Sequence, residues 1–411
     1  MSTITPNLTT IWILDSTLTR ITQIKSLLPM SSGMILQYSS ELDDYGQCKF
    51  RVSTRDTLFD TYGDILAPHK YWVQLVRGGT IVWQGPIIEN VKRSKDYIEI
   101  VAVEPLWYLS KILVNRSSSD PSGLGQNDIY RIFSSGTMAD AVTAIMGETI
   151  TTYQSNDAAH ALSGMTLGTI QNPNYPPNMT DGNTPTKDLT GAWYFGDGIS
   201  APLLQFDFTF ILTILQTFGV YTYSDFYLDN DLVFNFVPFK GDNLINKISF
   251  NWGGKNSPST NIVDYNVPRL GQRMANHLFG IATDPTGKIL HFDQIDNDSI
   301  DEYGYIQDVE AFSDLKDQAT LNARLEAEIP LISSPDNSAV SVTLDERGYP
   351  LGQYNVGDIV YIRIDDTAID LNDYRRIVGY TVSVNNTGRE ITVVQTNKVL
   401  PWQYASLGSI Q

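Results

Sequence analysis

Short strand-like segments separated by glycine constrain the fold of this chain more than any other feature of its sequence. Residues 71–77 and 80–84 are rich in β-branched and aromatic side chains, and Gly78-Gly79 between them is a hairpin signal. After Gly85-Pro86 a further strand is predicted to run to Val91. The sequence therefore predicts an antiparallel meander in this region.

The next segment predicts how that sheet is oriented. A polar turn at residues 92–96 precedes residues 97–103, in which Ile98 and Ile100 flank Glu99. Successive side chains of a strand point to opposite faces of the sheet. We therefore expect one face of the sheet to pack on a core and the other face to be wetter.

A second region near the C-terminus repeats this pattern. Strand-like segments lie at residues 358–364, 376–385 and 390–395, with a turn at 386–388. Aligning Gly85 with Gly379 places residues 98–100 nearly opposite residues 391–393. The alignment predicts two copies of one β-module. Because antiparallel meanders resemble one another at this level, an accidental likeness stays open as the alternative.

Between the two modules the apolar residues recur at helical spacing. Three helices are predicted: one capped by Thr137 and stopped by Gly147, one from Asp207 to Phe218 stopped by Gly219, and one from about Asp314 to Ile329, capped by Ser313 and stopped by Pro330. The second helix is expected to lead into strands at residues 220–223 and 232–237, with turn residues Asp229-Asn230-Asp231 between them.

Residues 151–200 differ from their surroundings in composition. They are rich in Pro, Asn, Gly and Thr and contain few periodic apolar positions, so we predict a long surface excursion. Trp193, Tyr194 and Phe195 within it could stack on sugars or on a partner, because aromatic side chains supply a large contact area. The alternative is that these aromatic side chains anchor the excursion to its own domain, and this is what we expect.

Composition restricts the possible folds and partners. A length of 411 residues predicts two to four domains, and abundant Tyr, Thr, Ile and Val favour β-structure. A net charge of −18 disfavours binding to nucleic acid and to anionic membranes. Cys48, the only cysteine, excludes an intrachain disulfide and is expected to be a small buried strand residue. The start of the chain does not resemble a signal peptide, and residues 206–223 are too polar to span a bilayer.

The sequence lacks the motifs of a catalytic or metal site. His69, His160, His277 and His291 are not spaced as metal ligands, and no nucleophile elbow, phosphate-binding loop or dinucleotide fingerprint is present. Residues 293–317 contain nine carboxylates and one lysine at a spacing that does not fit a calcium loop. We expect a solvated acidic face there, with a cation site as the alternative. We predict no catalytic, cofactor-binding or metal-binding residues and no cofactor.

Two stretches resemble the tail or baseplate hub proteins of tailed phages. The first lies within residues 64–105 and includes YWVQLVRGGTIVWQGPIIENVKRSKDYIEIVAVEP. The second comprises GYPLGQYNVGDIVYIRIDD at residues 348–366 and YRRIVGYTVSVNNTGREITVVQ at residues 374–395. The likeness is one of pattern, without a signature motif. With the helix before the second stretch it covers about half of the chain.

This resemblance implies a fold class and a domain plan. The expected fold is mainly β with α+β insertions, in which two tail-tube-like β-barrel domains flank a central α+β region. The expected domains are residues 1–112, the first barrel; 113–240, an α+β insertion with the excursion at about 151–200; 241–330, a connecting α+β region that ends in a helix; and 331–411, the second barrel and C-terminal tail.

The resemblance also implies a non-enzymatic function. Hub proteins of this family form a trimeric, pseudo-hexameric ring that joins the tail tube to the distal tip, and DNA passes through its lumen without specific binding. Expected partners are two further copies of the chain, a tail tube or distal tail protein, the tape measure protein, and tail fibre or adhesin proteins. We expect carboxylates along the lumen, a location at the virion tail tip after assembly in the host cytoplasm, and no direct membrane insertion.

Two other functions stay open from the sequence. The chain could be a receptor-binding or distal tail adhesin that recognises a host surface glycan through its aromatic excursion. It could also be a cell-wall hydrolase, because pairs of carboxylates able to cleave glycosides can be distant in sequence.

Overall fold

The computed structural model describes most of the chain in separate ranges. These are residues 9–114, 130–133, 138–156, 161–171, 204–207, 209–222, 224–253, 260–268, 274–284, 286–312, 318–333, 339–345, 349, 351–366 and 369–399.

An antiparallel sheet contains the N-terminal strands. Its elements are β1 Thr10–Leu14, β2 Arg20–Ile24, β3 Leu27–Leu28, β4 Met34–Glu41, β5 Gln47–Ser53, the short helix α1 Leu58–Tyr62, β6 Trp72–Arg77, β7 Thr80–Arg93 and β8 Tyr97–Val103. The strand order is β4-β5-β8-β7-β6-β1-β2, and β3 pairs with β5. The hairpin predicted at Gly78-Gly79 is confirmed, because Arg77 pairs with Thr80 across it.

The strand break predicted at Gly85-Pro86 is wrong, because β7 runs through both residues. Pro86 lies opposite Trp72 of β6, and from Ile87 onward β7 pairs with β8 on its other side. Pro86 therefore lies where β7 changes its pairing partner from β6 to β8. Its missing N–H does not interrupt a continuous ladder of backbone hydrogen bonds at this position.

The first core lies on one face of this sheet, as the alternation predicts. Ile98 and Ile100 are buried and Glu99 is partly exposed. Cys48 is fully buried in β5, as expected for a small strand residue, and burial raises the pKa of its thiol. The core joins these side chains to Phe50 and to residues of strands that follow much later in the chain.

The central region is an α+β unit with its own apolar cluster. Its elements are β9 Tyr130–Phe133, α2 Met138–Asn156, β10 Thr166–Ile170, β11 Leu204–Asp207, α3 Ile211–Thr222, β12 Asp225–Leu228 and β13 Val233–Val237, with 3₁₀ turns at Pro105–Ser110 and Ala161–Gly164. Strands β10, β13 and β12 form one small sheet, and β9 pairs with β11 in another. The apolar faces of α2 and α3 meet in one cluster with β12 and β13.

Both predicted glycine stops in this unit are wrong. Helix α2 continues through Gly147, where an added Cβ would meet no atom within 4 Å, so glycine there lowers helix stability without ending the helix. Helix α3 passes Gly219, and the strand predicted at residues 220–223 is replaced by the end of α3 and by β12. The predicted start at Asp207 is also wrong, because Asp207 pairs with Tyr130 in a sheet.

The surface excursion predicted at residues 151–200 is wrong for its first part, and residues 172–200 lie outside the described residues. Helix α2 extends to Asn156, and β10 pairs in parallel with β13, so these residues belong to the folded unit. Trp193, Tyr194 and Phe195, the cap candidates Thr137 and Ser313, and His160 lie outside the described residues.

The connecting region contains a second α+β unit. Its elements are β16 His277–Thr283, β17 Ile289–Ile295, α4 Asn297–Tyr303, β18 Gln307–Phe312 and α5 Gln318–Ile332, and they follow β14 Ser249–Trp252 and β15 Ile262–Asn266, which pair with strands of the main sheet. The predicted seam of Leu321, Leu325 and Ile329 is confirmed as buried. The predicted stop at Pro330 is wrong: the N–H of Ser333 still bonds to the carbonyl of Ile329, so the last turn closes past the proline.

The C-terminal strands complete the main sheet. They are β19 Val340–Asp345, β20 Ile359–Asp366, β21 Ile369–Asn385 and β22 Glu390–Lys398. The order β15-β19-β22-β21 continues directly into β4, so the N-terminal and C-terminal halves form one sheet. The mainly β fold with α+β insertions is confirmed.

The two halves are built alike, with a register that differs from the sequence alignment. In β7 the pairing with β6 includes Gly85, and the pairing with β8 begins at Ile87. In β21 the pairing with β20 ends at Arg376, and Gly379 lies beyond it, paired with β22 and β4. Gly85 and Gly379 therefore lie on opposite sides of the change of partner and do not correspond. The sequence alignment matched two glycines, which have different surroundings.

The domain boundaries at residues 112, 240 and 330 and the closure of each half into a tail-tube-like barrel stay predictions. In the part of the chain that the structure describes, no helix has the length and apolarity needed to cross a bilayer.

Candidate functional site at the junction of the two sheet halves

The two sheet halves are joined by backbone pairing between distant strands. The second half of β21 pairs antiparallel with β4, from Gly379 opposite Glu41 to Val384 opposite Leu36. Val382 and Val384 of this strand are buried in the N-terminal core. The halves consequently share both a hydrogen-bond ladder and a core, which fixes their relative orientation.

A buried ion pair links the central α+β unit to the C-terminal half. Nη1 of Arg376 donates to Oδ1 of Asp225 at 3.1 Å, and Nη2 donates to Oδ2 of the same carboxylate. The side chains are 7% and 5% exposed. The guanidinium also donates to the carbonyls of Lys240 and Gly357 and lies over the ring of Phe239. Such a two-point pair fixes direction as well as distance.

The segment that leaves the central unit crosses the C-terminal half at close range. The backbone N–H of Lys240 donates to Oδ2 of Asp225 at 2.5 Å. Gly241 and Gly357 both have positive φ, and a Cβ on Gly357 would lie 2.3 Å from the carbonyl oxygen of Lys240. Glycine is required where two backbones approach this closely. The N–H of Asp242 donates to Oδ1 of Asp358, which extends the contact.

Two further carboxylates lie on the N-terminal side of the same region. Oδ1 of Asp43 accepts from the N–H of Phe226 at 2.7 Å, and Oε2 of Glu104 accepts from the N–H of Gly46 at 2.7 Å. Burial raises the pKa of Asp43 to about 7, and the neighbouring Asp225 carboxylate contributes to the rise. Burial also raises the pKa of Glu104 to about 7.

One lysine faces this group of carboxylates. Burial lowers the pKa of Lys240, while Glu104, Asp43 and Asp225 favour its charged form. Its ammonium also lies 4.4 Å from the ring centre of Tyr227. We call β4, β21 and the side chains of Asp43, Glu104, Asp225, Lys240 and Arg376 the junction.

A second ion pair crosses between the halves on another side. Nη2 of Arg77 in β6 lies 2.7 Å from Oε2 of Glu390 in β22, with side chains 11% and 10% exposed. Oγ1 of Thr9 donates to the other carboxylate oxygen. Charged partners so far apart in sequence hold the N-terminal and C-terminal strands together.

The charged groups of the junction hold parts of the chain in fixed positions relative to one another. Its carboxylates and the guanidinium of Arg376 make hydrogen bonds to one another or to the backbone, and the ammonium of Lys240 interacts electrostatically with the carboxylates. In the described residues no group of three or more His, Cys, Asp or Glu side chains could hold a metal ion. The junction aligns three parts of the chain and presents no nucleophile–base pair.

The histidines considered from the sequence are dispersed. His69, at positive φ, stacks on Trp107 with ring centres 5.6 Å apart. His277 contacts Asp293 and Tyr305, and His291 is exposed on β17. Most of the acidic stretch at 293–317 lies on β17, α4 and β18, outside the junction.

Sequence reasoning missed every charged residue of the junction. Asp225 and Arg376 are 151 positions apart, and neither belongs to a motif. The only local signal is Arg375-Arg376 directly before the apolar part of β21, where a charged residue needs a partner if it is buried.

The comparisons with known proteins identify the fold. No protein-family model matches the sequence, and no curated protein matches it. A tail protein from Neisseria meningitidis superposes with a TM-score of 0.61 at 11% identity, over 96% of this chain and 98% of that protein. The chain has the fold of a phage-type tail protein.

Two further tail proteins share the fold along nearly their whole length. A 43 kDa prophage tail protein from Shewanella oneidensis has a TM-score of 0.58 at 12% identity, over 95% of this chain and 98% of that protein. A prophage tail protein from Listeria monocytogenes has a TM-score of 0.52 at 12% identity, over 97% and 98% respectively. The sequence-based resemblance to phage tail proteins is confirmed at the level of fold.

Proposed function

We propose that this chain is a structural hub of a phage-type tail tip. Three copies form a ring that joins the tail tube to the distal tip and through which DNA passes. The observation that carries the proposal is the union of two similarly built sheet halves through β4 and β21. Two alike halves per chain give six alike units in a trimer, which matches a tube of six-fold symmetry.

The junction supports this role by making each chain a rigid pair of units. A ring subunit has to keep a fixed angle between the unit that contacts one neighbour and the unit that contacts the other. The buried Asp225–Arg376 and Arg77–Glu390 pairs and the shared core supply that rigidity. Shape and oligomerisation, without bond making, are the proposed mechanism.

The net charge of the chain supports passage of DNA. An excess of 18 negative charges repels the phosphate backbone, so a duplex would pass without binding. In this proposal the tail tube or distal tail protein binds one side of the ring, the tape measure protein ends at it, and adhesins attach on the distal side.

The solution mass of the purified chain tests the ring. Light scattering should give about 138 kDa, three times the chain mass of 45.9 kDa. A monomer or dimer at every concentration up to about 100 µM, the range of weak but specific contacts, would contradict a self-assembling ring.

Zymography on host cell wall tests the proposal that the chain is not an enzyme. We expect no cleared band from the purified chain. A cleared band that is lost when a pair of carboxylates is replaced would establish a hydrolase instead.

A further inference from the structure

Exposed apolar side chains are concentrated on and beside the sheet formed by β16, β17 and β18. Thirteen large apolar side chains of the described residues are exposed, and six of them lie between residues 277 and 312. They are Ile281, Ile289, Ile295, Tyr303, Tyr305 and Val309. Monomeric proteins seldom expose apolar side chains in such concentration without a partner.

The strand registers place four of these side chains, Ile281, Ile289, Ile295 and Val309, on one side of the sheet. Ile281 lies between His291 of β17 and Ala311 of β18, and Val309 lies beside Phe279. The opposite side is covered by α5, which packs so closely that a Cβ on Gly280 would lie 2.4 Å from Leu325. Among the described residues, no helix covers the side with Ile281 and Val309. We call it the apolar sheet face.

A polar network lies in this face together with Asp293, and four more carboxylates lie between residues 296 and 302, on the segment that joins β17 to β18. Asp308 and Glu310 point to the side covered by α5. Nε2 of His277 lies 2.9 Å from Oδ2 of Asp293, its Nδ1 contacts the hydroxyl of Tyr305, and Nε2 of Gln307 donates to that hydroxyl at 2.8 Å. Residues 289–312 contain seven carboxylates and no Lys or Arg. An apolar centre inside a charged rim is the usual anatomy of a protein interface.

The strands of this sheet are also open at both edges. The order is β17-β16-β18, so in the described residues β17 and β18 each pair on one side only. Open edges next to an apolar face allow a partner strand or hairpin to add its backbone hydrogen bonds.

The matching surface lies on the N-terminal half of the same chain. Lys92, Arg93 and Lys95 form the only place in the sequence where three of four consecutive residues are Lys or Arg. They are exposed at the turn between β7 and β8, beside Val91, which is 52% exposed. We call these four residues the basic tip. The single ion pair of the tip, between Arg93 and Asp64, is exposed and therefore weak.

The corresponding part of the C-terminal half is covered. The end of β21 pairs with β4 within the chain, whereas the end of β7 pairs only with β8 in the described residues. The edge of the C-terminal half at β21 is thus paired with β4 of the N-terminal half. The corresponding edge of the N-terminal half, at the end of β7, is available to a partner.

We propose that the basic tip of one copy docks on the apolar sheet face of the next copy. The contact rests on the proposed ring, because two different surfaces of one chain produce a head-to-tail contact that closes only in a ring. Val91 would enter the apolar centre, and the three cations would meet the acidic rim. The partner is therefore a second copy of this chain.

Charge reversal in the full chain tests this contact. Sedimentation equilibrium would compare the wild type with Lys92→Glu/Arg93→Glu and with Asp293→Lys/Glu302→Lys, all four positions being exposed. Each pair of substitutions should weaken self-association at least about tenfold, as expected for opposed charges at an interface. The chain carrying all four substitutions should associate again, because the opposite charges face each other once more.

Matched controls separate the contact from general charge effects. Lys247→Glu and Asp60→Lys reverse exposed charges on other parts of the surface and should leave association unchanged. Ile281→Ser should weaken association while leaving thermal unfolding unchanged, since surface substitutions shift stability by no more than about 0.5 kcal/mol.

The outcomes distinguish this inference from the proposed function. A trimer that forms equally well in all variants would overturn the docking contact and leave the ring intact. A dimer that is broken by either reversal and restored by the combination would support the contact and contradict the trimer. A wild-type chain that stays monomeric, or four substitutions that do not restore association, would overturn the contact.

Discussion

Arg376 and Asp225 form a two-point ion pair that is almost fully buried between the C-terminal half of the main sheet and the central α+β unit. The same guanidinium donates to two backbone carbonyls, so it makes four hydrogen bonds together with the two to Asp225. A charge buried this deeply is stable only while its partner remains.

Removal of one partner of this pair should be costly. Asp225→Asn or Arg376→Met should each lower the free energy of unfolding by about 3–5 kcal/mol, because the remaining charge stays buried without compensation. The double variant should cost clearly less than the sum of the two. Urea unfolding of the wild type, the two single variants and the double variant gives the double-mutant cycle. Additive effects of the two substitutions would show that the side chains act independently.

Stability should fall as the pH rises from about 5 to about 8. The pKa values of Asp43 and Glu104 are raised to about 7 in the folded chain, against about 4 when unfolded. Between those values the folded chain binds more protons than the unfolded chain, so stability falls with each pH unit until both groups are ionised, above their folded pKa of about 7. Each group contributes a loss of roughly 1 kcal/mol per pH unit over this range.

The isosteric amides provide the control for this dependence. Asp43→Asn and Glu104→Gln keep an oxygen that accepts the N–H of Phe226 and Gly46, and asparagine tolerates the positive φ at position 43. Urea midpoints measured across this pH range should be flatter in the double variant. An equal slope in wild type and variant would assign the dependence to other groups.

Gly357→Ala should loosen the junction. The substituted Cβ would lie 2.3 Å from the carbonyl oxygen of Lys240, and the residue has a φ of 101°. We expect a loss of about 2 kcal/mol or more from the clash and the strained backbone. Thermal unfolding measures it, and an unchanged midpoint would show that the two backbones can separate without cost.

Gly147→Ala should have the opposite effect. Gly147 lies inside α2, and an added Cβ meets no atom within 4 Å. We expect a gain of about 0.5–1 kcal/mol, because alanine reduces the conformational entropy of the unfolded chain. Destabilisation by this substitution would show that the helix ends at Gly147, as its sequence suggests.

Local patterns predicted the strands and the fold class because their physical causes are local. The alternation of apolar and polar residues and the Gly78-Gly79 turn predicted β6, β7 and β8. The helical spacing of apolar residues predicted the buried seam of α5. Helix ends were less predictable. Gly147 and Gly219 occupy positions where packing of the apolar face of each helix outweighs the low propensity of glycine.

The junction could not be predicted, because its pairs are made by the tertiary fold. Asp225 lies at the start of a short strand and Arg376 in the middle of a long one, and nothing in either neighbourhood points to the other. The same holds for Arg77 and Glu390. The alignment of Gly85 with Gly379 failed for a related reason, since β7 and β21 contain different β-bulges.

Imaging of the purified chain by electron microscopy tests the central claim most directly. We predict class averages of a ring with a central hole and six similar lobes, two from each of three copies. Compact particles without a hole, or rings whose lobe number is not a multiple of two, would contradict a hub built from two alike sheet halves.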